Sequence, residues 1–507
     1  MSAVGLERVS TITGYQIKKG NFSTTSPNLP QRIAILGEAN TANQGALSLD
    51  PKEIVSAQAA GLEYGFGSPI HSMVRILKPI SGSGVGGIPI VVYPQAEAVA
   101  AAAKEIDLTP TGVANGNGTH TVVISGRNSI DGQSYDVGIL SGDDEDAIAQ
   151  RISDVVNAVL GTPVIGVPTL GVGAKATLTA KWNGLSSNDI NVSIDVNGDD
   201  LGITYAIADV AAGAGTPAVT LALDKYDAEW NTITLNSYGT VSSVMDELEV
   251  FNGVPDNTAP TGRYTGIVMK PFVALTGSVE SDVDSLIAIT DPRKSQVTIS
   301  ICPAPNSDGM PYEAAANAAT LWARQAQDNP HLDIQNKVYP DMPTPTDIGD
   351  MKDYDQRDRA VKGGCSTVEL SAGQYKVKDF VTTYHPDGEL PPQFRYCRTF
   401  VIDMNFFFGY HLLEEVVVMD KSISADDDIV TVVNTIKPKQ WKQSVSTYFE
   451  DTARRGLIVD PAFSQARLSV GLSVSNPDRF ETEFPYKRSG FARIAATAAT
   501  AGFNFGV

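Results

Sequence analysis

A glycine-rich run early in the chain has the letters of a nucleotide-binding motif. Gly82, Gly84 and Gly87 follow the G-x-G-x-x-G spacing. Such glycines bind a dinucleotide only when a helix starts directly after them, because the amides at its N-terminus bind the pyrophosphate. Here residues 88–93 follow, with Pro89 second, and their apolar pattern predicts a buried strand. We therefore interpret the run as a flexible loop and predict no bound cofactor.

Two runs of carboxylates, residues 143–146 and 426–428, are the acidic clusters that could bind a metal ion. The first precedes a predicted helix, where acidic side chains favour the positive end of the helix dipole. The second lies in a predicted loop, and neither run has the spacing of a calcium-binding loop. We therefore predict that both runs are solvated and that neither holds a metal.

The histidines and cysteines are too scattered to predict a metal site or a catalytic site. There is no His-Glu-x-x-His motif, no histidine pair four residues apart, no Gly-x-Ser-x-Gly turn and no phosphate-binding loop. The cysteines lack Cys-x-x-Cys spacing, so we predict buried free thiols and a reducing cytoplasmic origin. The residues concerned are His71, His120, His331, His385, His411, Cys302, Cys365 and Cys397. We predict that the chain is not an enzyme, with a hydrolase that uses dispersed carboxylates as the alternative.

Charge and hydropathy exclude two classes of partner. The 507 residues carry a formal net charge of −20, so bulk electrostatics repel nucleic acid. Residues 1–14 contain no apolar run behind a basic region, which argues against a secretory signal. No uncharged run reaches the ~18 apolar residues of a membrane helix. We predict neither nucleic acid nor a membrane as a partner.

A basic patch near the C-terminus stands out against the acidic background. Its members are Lys437, Lys439, Lys442, Arg454 and Arg455. They flank or occupy a helix predicted over residues 439–455, whose apolar side chains recur at helical spacing and should face a core. Those apolar residues are Trp441, Val445, Tyr448 and Phe449. Two interpretations stay open: a solvated basic face, or a surface that meets an acidic partner inside an assembly.

The elements that must position these residues form a mixed fold. Buried strands alternate with helices over residues 32–106 and again from residue 231, which is the rhythm of an α/β layer. Residues 107–222 instead show short strands separated by Asn, Asp and Gly turns, with one predicted helix at 144–160. The fold class is therefore α/β or α+β with several domains and mixed sheets. We predict an N-terminal arm (1–26), a first core part (27–106), an inserted β-rich domain (107–222), a second core part (223–376), a C-terminal inner domain (377–489) and a C-terminal arm (490–507).

Both ends of the chain are predicted to be extended arms. Residues 1–26 have sparse apolar side chains among Ser, Thr and Gly, and bury too little to fold alone. Residues 490–507 are small and apolar, and Phe503, Phe505 and Val507 would share one face of a strand. We predict that the N-terminal arm becomes ordered by pairing with the edge of a sheet. The candidate contact residues are Val4, Leu6, Val9, Ile12, Tyr15, Ile17, Phe491, Ile494, Phe503, Phe505 and Val507.

Four motifs in collinear order resemble the contractile tail sheath proteins of Mu-like phages. Residues 64–74 resemble that family's Gly-x-Gly-Ser turn and Met-Val helix, and residues 187–192 resemble a strand motif of its inserted domain. Residues 227–231 look like its Asp-Glu-Trp step, and residues 377–384 look like its Val-Thr-Thr-Tyr strand. Pro69 departs from the pattern, since a longer apolar residue is expected there. The resemblance covers most of the chain.

The resemblance implies a structural subunit of a contractile phage tail sheath. Such subunits polymerise helically around the tail tube, in six-fold rings, and contract by a rigid-body rearrangement that drives the tube through the host envelope. It implies that both arms donate strands to neighbouring copies and that the five basic residues of the inner domain face the tube. The implied partners are further copies of the chain, the tail tube protein, and baseplate and tail terminator proteins, in a virion assembled in the host cytoplasm. Another tail or baseplate component is the alternative.

Overall fold

The computed structural model describes residues 27–82, 84–255, 258–265, 269–389 and 392–501. Internal contacts divide the chain into two compact units. The larger unit is Leu29–Asn405 with the C-terminal segment that starts at Gly490, and the smaller unit is Phe406–Ser489 with Asn28. Each unit contains helices and strands, so the mixed α/β class is confirmed. The finer six-part division stays a prediction.

A six-stranded sheet lies at the centre of the larger unit. Its strands, in spatial order, are Ile299–Pro303, Val273–Ser278, Ile233–Asn236, Ile33–Glu38, Ile90–Gln95 and Lys52–Glu53. The first five pair in parallel, and the short last strand pairs antiparallel. All five parallel strands are buried at every position, as strands of a parallel sheet covered on both faces must be.

Helices pack on this sheet, and one of them approaches it closely. Pro311–Asp328 is rich in alanine and mostly buried, so its backbone can lie near strand Val273–Ser278. A Cβ added at Gly277 would lie 1.6 Å from the carbonyl oxygen of Pro311, so this position requires glycine. The α-helices that lie wholly in the larger unit are Thr41–Gln44, Ala57–Tyr64, Pro69–Leu77, Glu145–Ala158, Thr220–Asp224, Ser242–Asn252, Val283–Thr290, Pro311–Asp328 and Tyr354–Lys362. Its 3₁₀ helices are Leu185–Asp189, Gly262–Tyr264, Asp291–Arg293 and Gly349–Lys352.

The turn at residues 64–69 has a local physical explanation. The Ser68 hydroxyl accepts a hydrogen bond from the His71 amide at 3.1 Å and so caps the helix Pro69–Leu77. Pro69 is the first residue of that helix. The backbone N–H at this position has no partner within a helix, so proline costs no hydrogen bond there. Gly67 has a φ of 86°, and a Cβ added there would lie 1.9 Å from the Thr162 carbonyl oxygen. The proline that departs from the family pattern is thus compatible with the same turn and helix.

Residues 105–211 add two antiparallel sheets to the larger unit. One sheet orders Thr204–Ala211, Glu105–Thr111, Lys175–Ala180 and Val164–Thr169, and the other orders Val192–Asp195, Gly118–Ile124 and Asp136–Ile139. A hairpin in the same region pairs Ser129–Ile130 with Gln133–Ser134. Further along the chain, a second hairpin of the larger unit pairs Thr367–Ser371 with Gln374–Asp379. The helix Glu145–Ala158, predicted at 144–160, packs on the four-stranded sheet. Its cap is Asp144, whose carboxylate accepts the Ala147 amide at 3.0 Å.

A carboxyl group is buried without a partner at the base of this β-rich region. Glu38 ends a central strand and is 1% exposed, and both of its carboxylate oxygens lack a hydrogen-bond partner among the described residues. A Cβ added at Gly184 would lie 2.9 Å from Glu38 Oε2 and 3.4 Å from the Gly215 carbonyl oxygen, so the carboxyl lies beside these two connecting segments. Burial, followed by the charge of Glu97, raises the pKa of Glu38 to about 8.

This raised pKa predicts that stability falls as pH rises from 4.5 to about 8. Between the ordinary pKa of 4.5 and the folded pKa of about 8, the unfolded chain has released the Glu38 proton and the folded chain retains it. The contribution is therefore fully present below 4.5 and is lost as pH rises through 8, with a slope of at most ~1.4 kcal/mol per pH unit. We expect Glu38→Gln to reduce this slope in denaturant unfolding at pH 5, 6, 7 and 8. Identical pH dependence in parent and variant would show that the group does not titrate as described.

The smaller unit is built around a cluster of aromatic side chains. The helix Cys397–Val417 begins in the larger unit and ends here, where it is followed by helices Pro438–Arg454 and Pro461–Arg467. Phe406 stacks on Tyr486 with ring centroids 4.5 Å apart, and Phe449 contacts Phe484 at 5.0 Å. Three short two-stranded sheets pair Ser422–Ile423 with Thr435–Ile436, Ile458–Val459 with Lys487–Arg488, and Ser469–Leu472 with Phe480–Glu483.

Residues 377–405 group with the larger unit. The physical reason is that strand Gln374–Asp379 pairs with Thr367–Ser371, and the Val381 amide donates to the Ser366 hydroxyl at 3.1 Å. The buried Phe380 packs on Trp322 with ring centroids 5.4 Å apart, which fixes this segment to the helix beside the central sheet.

Two further predictions concern the state of the cysteines and the presence of membrane-spanning helices. Cys302, Cys365 and Cys397 are buried free thiols, as predicted. Burial raises the pKa of each thiol, which keeps it protonated and unreactive. Within the described ranges, no helix is both long and apolar enough to cross a membrane.

Candidate assembly surfaces

The clusters that might have carried chemistry serve local structure instead. In the part of the chain that the structure describes, no group of three or more His, Cys, Asp or Glu side chains is placed to hold a metal ion. The glycine-rich run is followed by strand Ile90–Gln95 and not by a helix, so it lacks dinucleotide-binding geometry. In the two acidic runs, Asp143 accepts from Arg151 at 2.9 Å and Asp426 accepts the Lys439 amide at 2.9 Å. Both runs therefore face solvent and also form hydrogen bonds that stabilise the local turns.

The basic patch lies on a helix whose start is well specified. Pro438 occupies the first position of Pro438–Arg454, and the Lys437 amide donates to the Gln440 side chain at 3.0 Å. The apolar residues predicted to face a core, Trp441, Val445, Tyr448 and Phe449, are all buried. This burial fixes which side of the helix faces solvent, because apolar residues three and four positions apart share one face.

Three of the five basic residues share the exposed face of this helix. Lys439, Lys442 and Arg454 are exposed, and at 100° per residue they fall within about 60° of Lys439. Arg454 lies 3.6 Å from Glu450, an exposed pair that contributes little. Among the described residues, no ion pair involves Lys439 or Lys442. We call Lys439, Lys442 and Arg454 the basic helix face.

The other two basic residues of the patch contact their own unit. The Lys437 ammonium donates to the backbone carbonyls of Asp426 and Asp428 and so holds the preceding loop. Arg455 donates to the Asn28 side chain at 2.7 Å. Both are half-buried. Lys437 and Arg455 are therefore less available to a partner than the basic helix face. The spacing of these residues in the sequence does not show this difference.

A groove of 980 Å³ opens beside the last hairpin of the smaller unit. It lies between the end of helix Cys397–Val417 and strand Phe480–Glu483. Its aromatic lining consists of Phe407, Tyr410, Trp441, Phe480 and Phe484, and its aliphatic lining of Val418, Met419 and Ile423. Its charged lining consists of Glu414, Glu415, Asp420, Asp478, Glu481, Lys421 and Arg479, with His411. We call this the aromatic groove, and its charged groups are mainly acidic.

The hairpin that borders the groove is held at one face and open at its edges. The Trp441 indole N–H donates to the Thr482 hydroxyl at 3.0 Å, and Phe484 contacts Tyr410 with ring centroids 5.3 Å apart. Within the described residues, the sheet contains two strands, Ser469–Leu472 and Phe480–Glu483, so each has an edge without a strand partner. An isolated pair of strands is marginally stable, and an open edge is a template for another strand.

The groove's electrostatics favour a basic ligand. Burial raises the pKa of Glu414, and the neighbouring His411 partly offsets the effect. His411 lies 3.2 Å from Glu415. No motif in the sequence predicts this groove. The signal was present as aromatic and acidic residues at helical spacing, Phe407, Tyr410 and Glu414, on one face of a helix.

The start of the C-terminal arm contacts the larger unit. Arg493 forms an ion pair with the buried Asp333, and its guanidinium lies 3.8 Å from the Tyr396 ring centroid. Phe491 is half-buried beneath Arg398, whose guanidinium carbon lies 5.6 Å from its ring centroid. Ile494 is 85% exposed, and no strand is formed over residues 489–501. Of the two described arm residues, Phe491 therefore contacts its own chain and Ile494 faces solvent.

Most of the predicted arm residues belong to residues 1–26 and 502–507. Val4, Leu6, Val9, Ile12, Tyr15, Ile17, Phe503, Phe505 and Val507 lie outside the described residues. Their pairing with a neighbouring sheet stays a prediction.

Comparison with known proteins identifies a relative in sequence. No protein-family model matches the chain. The chain is 24% identical over 350 residues to the tail sheath protein of the Mu-like prophage FluMu of Haemophilus influenzae. That match covers 68% of this chain and 66% of the relative, so the chain spans slightly less than two thirds of it. The resemblance to Mu-like tail sheath proteins is thereby confirmed.

Solved structures give matches over a larger share of the chain. A sheath tail protein from Desulfitobacterium hafniense is 13% identical with a TM-score of 0.41, covering 94% of this chain and 100% of that one. A sheath tail protein from Listeria innocua is 12% identical with a TM-score of 0.43, covering 92% of this chain and 94% of that one.

Proposed function

We propose that this chain is a structural subunit of a contractile phage tail sheath and has no catalytic role. The observation that carries the proposal is its similarity over 350 residues to the tail sheath protein of a Mu-like prophage. The chain's open hairpin and acidic groove suit a protein that works by contacting other copies. Subunits assemble helically in six-fold rings around the tail tube, with the baseplate and tail terminator at the ends of the sheath in a virion assembled in the host cytoplasm.

The aromatic groove receives an arm from a neighbouring copy. Strand addition at Phe480–Glu483 supplies main-chain hydrogen bonds, and apolar side chains of the incoming strand enter the groove. The N-terminal arm suits this acidic groove, because Arg8, Lys18 and Lys19 outnumber its one acidic residue, Glu7. Residues 494–507 carry no charged side chain. The C-terminal arm therefore pairs with another edge.

Contraction requires no nucleotide in this proposal. Folded units turn as rigid bodies while the arms keep neighbouring copies connected. The extended array is kinetically trapped, and contraction exchanges weak contacts for larger ones. A gain of only ~1–2 kcal/mol per subunit, from a modest increase in buried area, adds up over many copies. The tube is thereby driven through the host envelope.

Electron microscopy of the purified protein tests the proposal directly. We expect wide, hollow tubular polymers as concentration is raised, because head-to-tail contacts that do not close on themselves produce helical arrays. A hydrolase or a small baseplate component would not form such tubes. A protein that stays monomeric at every concentration and salt condition, with or without tail tubes, would contradict the proposal.

The basic helix face is proposed to contact the tail tube. We expect Lys439→Glu with Lys442→Glu to weaken attachment of sheath to purified tail tubes, with the larger loss at low salt because exposed charges are screened by ions. The matched control is Lys352→Glu, an exposed lysine of the larger unit. Co-sedimentation with tubes at two salt concentrations measures the effect. Equal attachment of all three proteins would count against the assignment.

A further inference from the structure

An exposed apolar segment lies between the two long helices of the smaller unit. Residues 429–433 have the sequence Ile-Val-Thr-Val-Val, five consecutive β-branched residues. Ile429 is 96% exposed, Val432 is 68% exposed and Val433 is 85% exposed. No described residue of the segment belongs to a helix or a strand. Exposed apolar side chains in a continuous run mark an interaction surface rather than an ordinary loop.

The composition of the 429–433 segment indicates a strand without its partner. β-branched residues favour the extended backbone and stabilise it by packing against a neighbouring strand. Within the described residues the segment has no such neighbour, since the nearest sheet pairs only Ser422–Ile423 with Thr435–Ile436. The free chain therefore carries a sequence that favours a strand in a place where its own fold offers nothing to pair with.

The loop around the segment is held in place by polar contacts. Lys437 donates to the Asp426 and Asp428 carbonyls, and the Asp428 carboxylate accepts the Ala425 amide at 2.8 Å. These contacts fix the base of the loop while the apolar side chains face solvent. The acidic run 426–428 also repels an identical loop, as charges flanking an aggregation-prone strand do. The acidic run 426–428 therefore disfavours self-association of this loop.

The loop that contains the segment starts and ends at residues that line the aromatic groove. Ile423 lies on the strand that precedes the loop and lines the groove, and so do Met419 and Lys421. At the other end of the loop, Trp441 lines the groove one turn after Lys437. Both ends of the loop are therefore attached to the groove wall.

We infer that the 429–433 segment is a docking site for a second copy of this chain, where it contacts the N-terminal segment entering the aromatic groove. This rests on the proposed function. The charge pattern favours this occupant, because the acidic run beside the segment suits Arg8, Lys18 and Lys19. The incoming strand then lies between the edge strand Phe480–Glu483 and the 429–433 segment.

A peptide-binding measurement on the full chain tests the inference. The probe is a fluorescent synthetic peptide of residues 1–20, added to full-length protein kept below its polymerisation threshold. We expect Ile429→Ser with Val432→Ser and Val433→Ser to bind the peptide at least about tenfold more weakly and to raise the polymerisation threshold, since a tenfold loss is about 1.4 kcal/mol of binding. The matched control replaces Val99, Val172 and Val250 with serine, three valines at least 81% exposed in the larger unit, and should bind as the parent does.

The outcomes separate this inference from the proposed function. Equal peptide binding by parent and triple variant, both with the parent's thermal midpoint, overturns the inference and leaves the groove assignment intact. Binding by neither protein overturns the groove assignment and the inference together. A triple variant that polymerises like the parent but no longer surrounds tail tubes also overturns the inference, because the segment then contacts the tube.

Discussion

Removal of residues 1–20 is expected to leave a soluble monomer at concentrations where the parent chain polymerises. In the proposed assembly these residues supply the strand that completes the open hairpin of a neighbouring copy, and no described element replaces it. Loss of a whole strand should raise the polymerisation threshold at least about a hundredfold, which corresponds to about 2.7 kcal/mol per contact. Sedimentation over a concentration series, with electron microscopy of the pellet, measures this threshold.

The matched control keeps the length of the arm and removes its chemistry. Replacing residues 1–20 with twenty glycine and serine residues removes the apolar side chains and the charges, and should behave as the deletion does. Replacing only Arg8, Lys18 and Lys19 with glutamine should give an intermediate threshold, because the main-chain hydrogen bonds remain. Tubular polymers of parental appearance and threshold from the deleted chain would refute the role of the arm.

The corresponding experiment at the C-terminus has to begin further along the chain. A truncation at residue 490 removes Arg493, and with it the ion pair to the buried Asp333 and the contact with Tyr396. It therefore confounds loss of an arm with damage to the fold. Truncation after Ala496 retains these contacts and removes the uncharged tail. We expect this shorter truncation to block polymerisation while leaving the thermal midpoint of the monomer unchanged.

Replacement of Arg127 by alanine is expected to cause the largest loss of stability from a single substitution in the larger unit. Arg127 lies in the turn after strand Gly118–Ile124, and it contacts Asp341 at 2.6 Å and Glu313 at 3.2 Å. Arg75 contacts the same two carboxylates, Asp341 at 3.0 Å and Glu313 at 3.6 Å. This four-charge cluster joins the β-rich region to the helix Pro311–Asp328 and to the connector that follows it.

The cost comes from leaving a buried charge with too few partners. The Glu313 side chain is 5% exposed, so removing one of its two arginines leaves a poorly compensated carboxylate. Burial alone would raise the pKa of Asp341, but the adjacent Arg127 and Arg75 guanidinium groups lower it below its ordinary value. Breaking such a pair typically costs about 3–5 kcal/mol. We expect the unfolding midpoint in denaturant to fall accordingly.

The control for this variant is an exposed ion pair in the same unit. Lys352 lies 3.1 Å from Asp347, and both side chains are more than half exposed. Exposed pairs contribute little because water and salt screen them, so Lys352→Ala should leave the midpoint unchanged. If Arg127→Ala and Lys352→Ala unfold at the same denaturant concentration, the cluster does not hold the β-rich region in the way proposed.

The amino-acid sequence by itself determined the local elements. The apolar run at residues 33–36 is buried in a parallel strand, and the spacing of Trp441, Val445, Tyr448 and Phe449 predicts the buried face of a helix. The sequence also predicts that no helix follows the glycine run, and it shows the resemblance to tail sheath proteins. These features depend on neighbours a few positions away, where periodicity and proline or glycine chemistry act directly. The pattern of residues 400–413 was compatible with a strand or a helix, and only the tertiary structure decided for the helix Cys397–Val417.

Only the tertiary structure decided which residues meet. Spacing grouped five basic residues, but Lys437 and Arg455 contact their own unit and three remain exposed. The aromatic groove brings Tyr410 to Phe484, and the charge cluster brings Arg127 to Asp341. Such contacts join residues far apart in the chain. Their geometry follows from how whole elements pack, and one-dimensional periodicity carries no information about that packing.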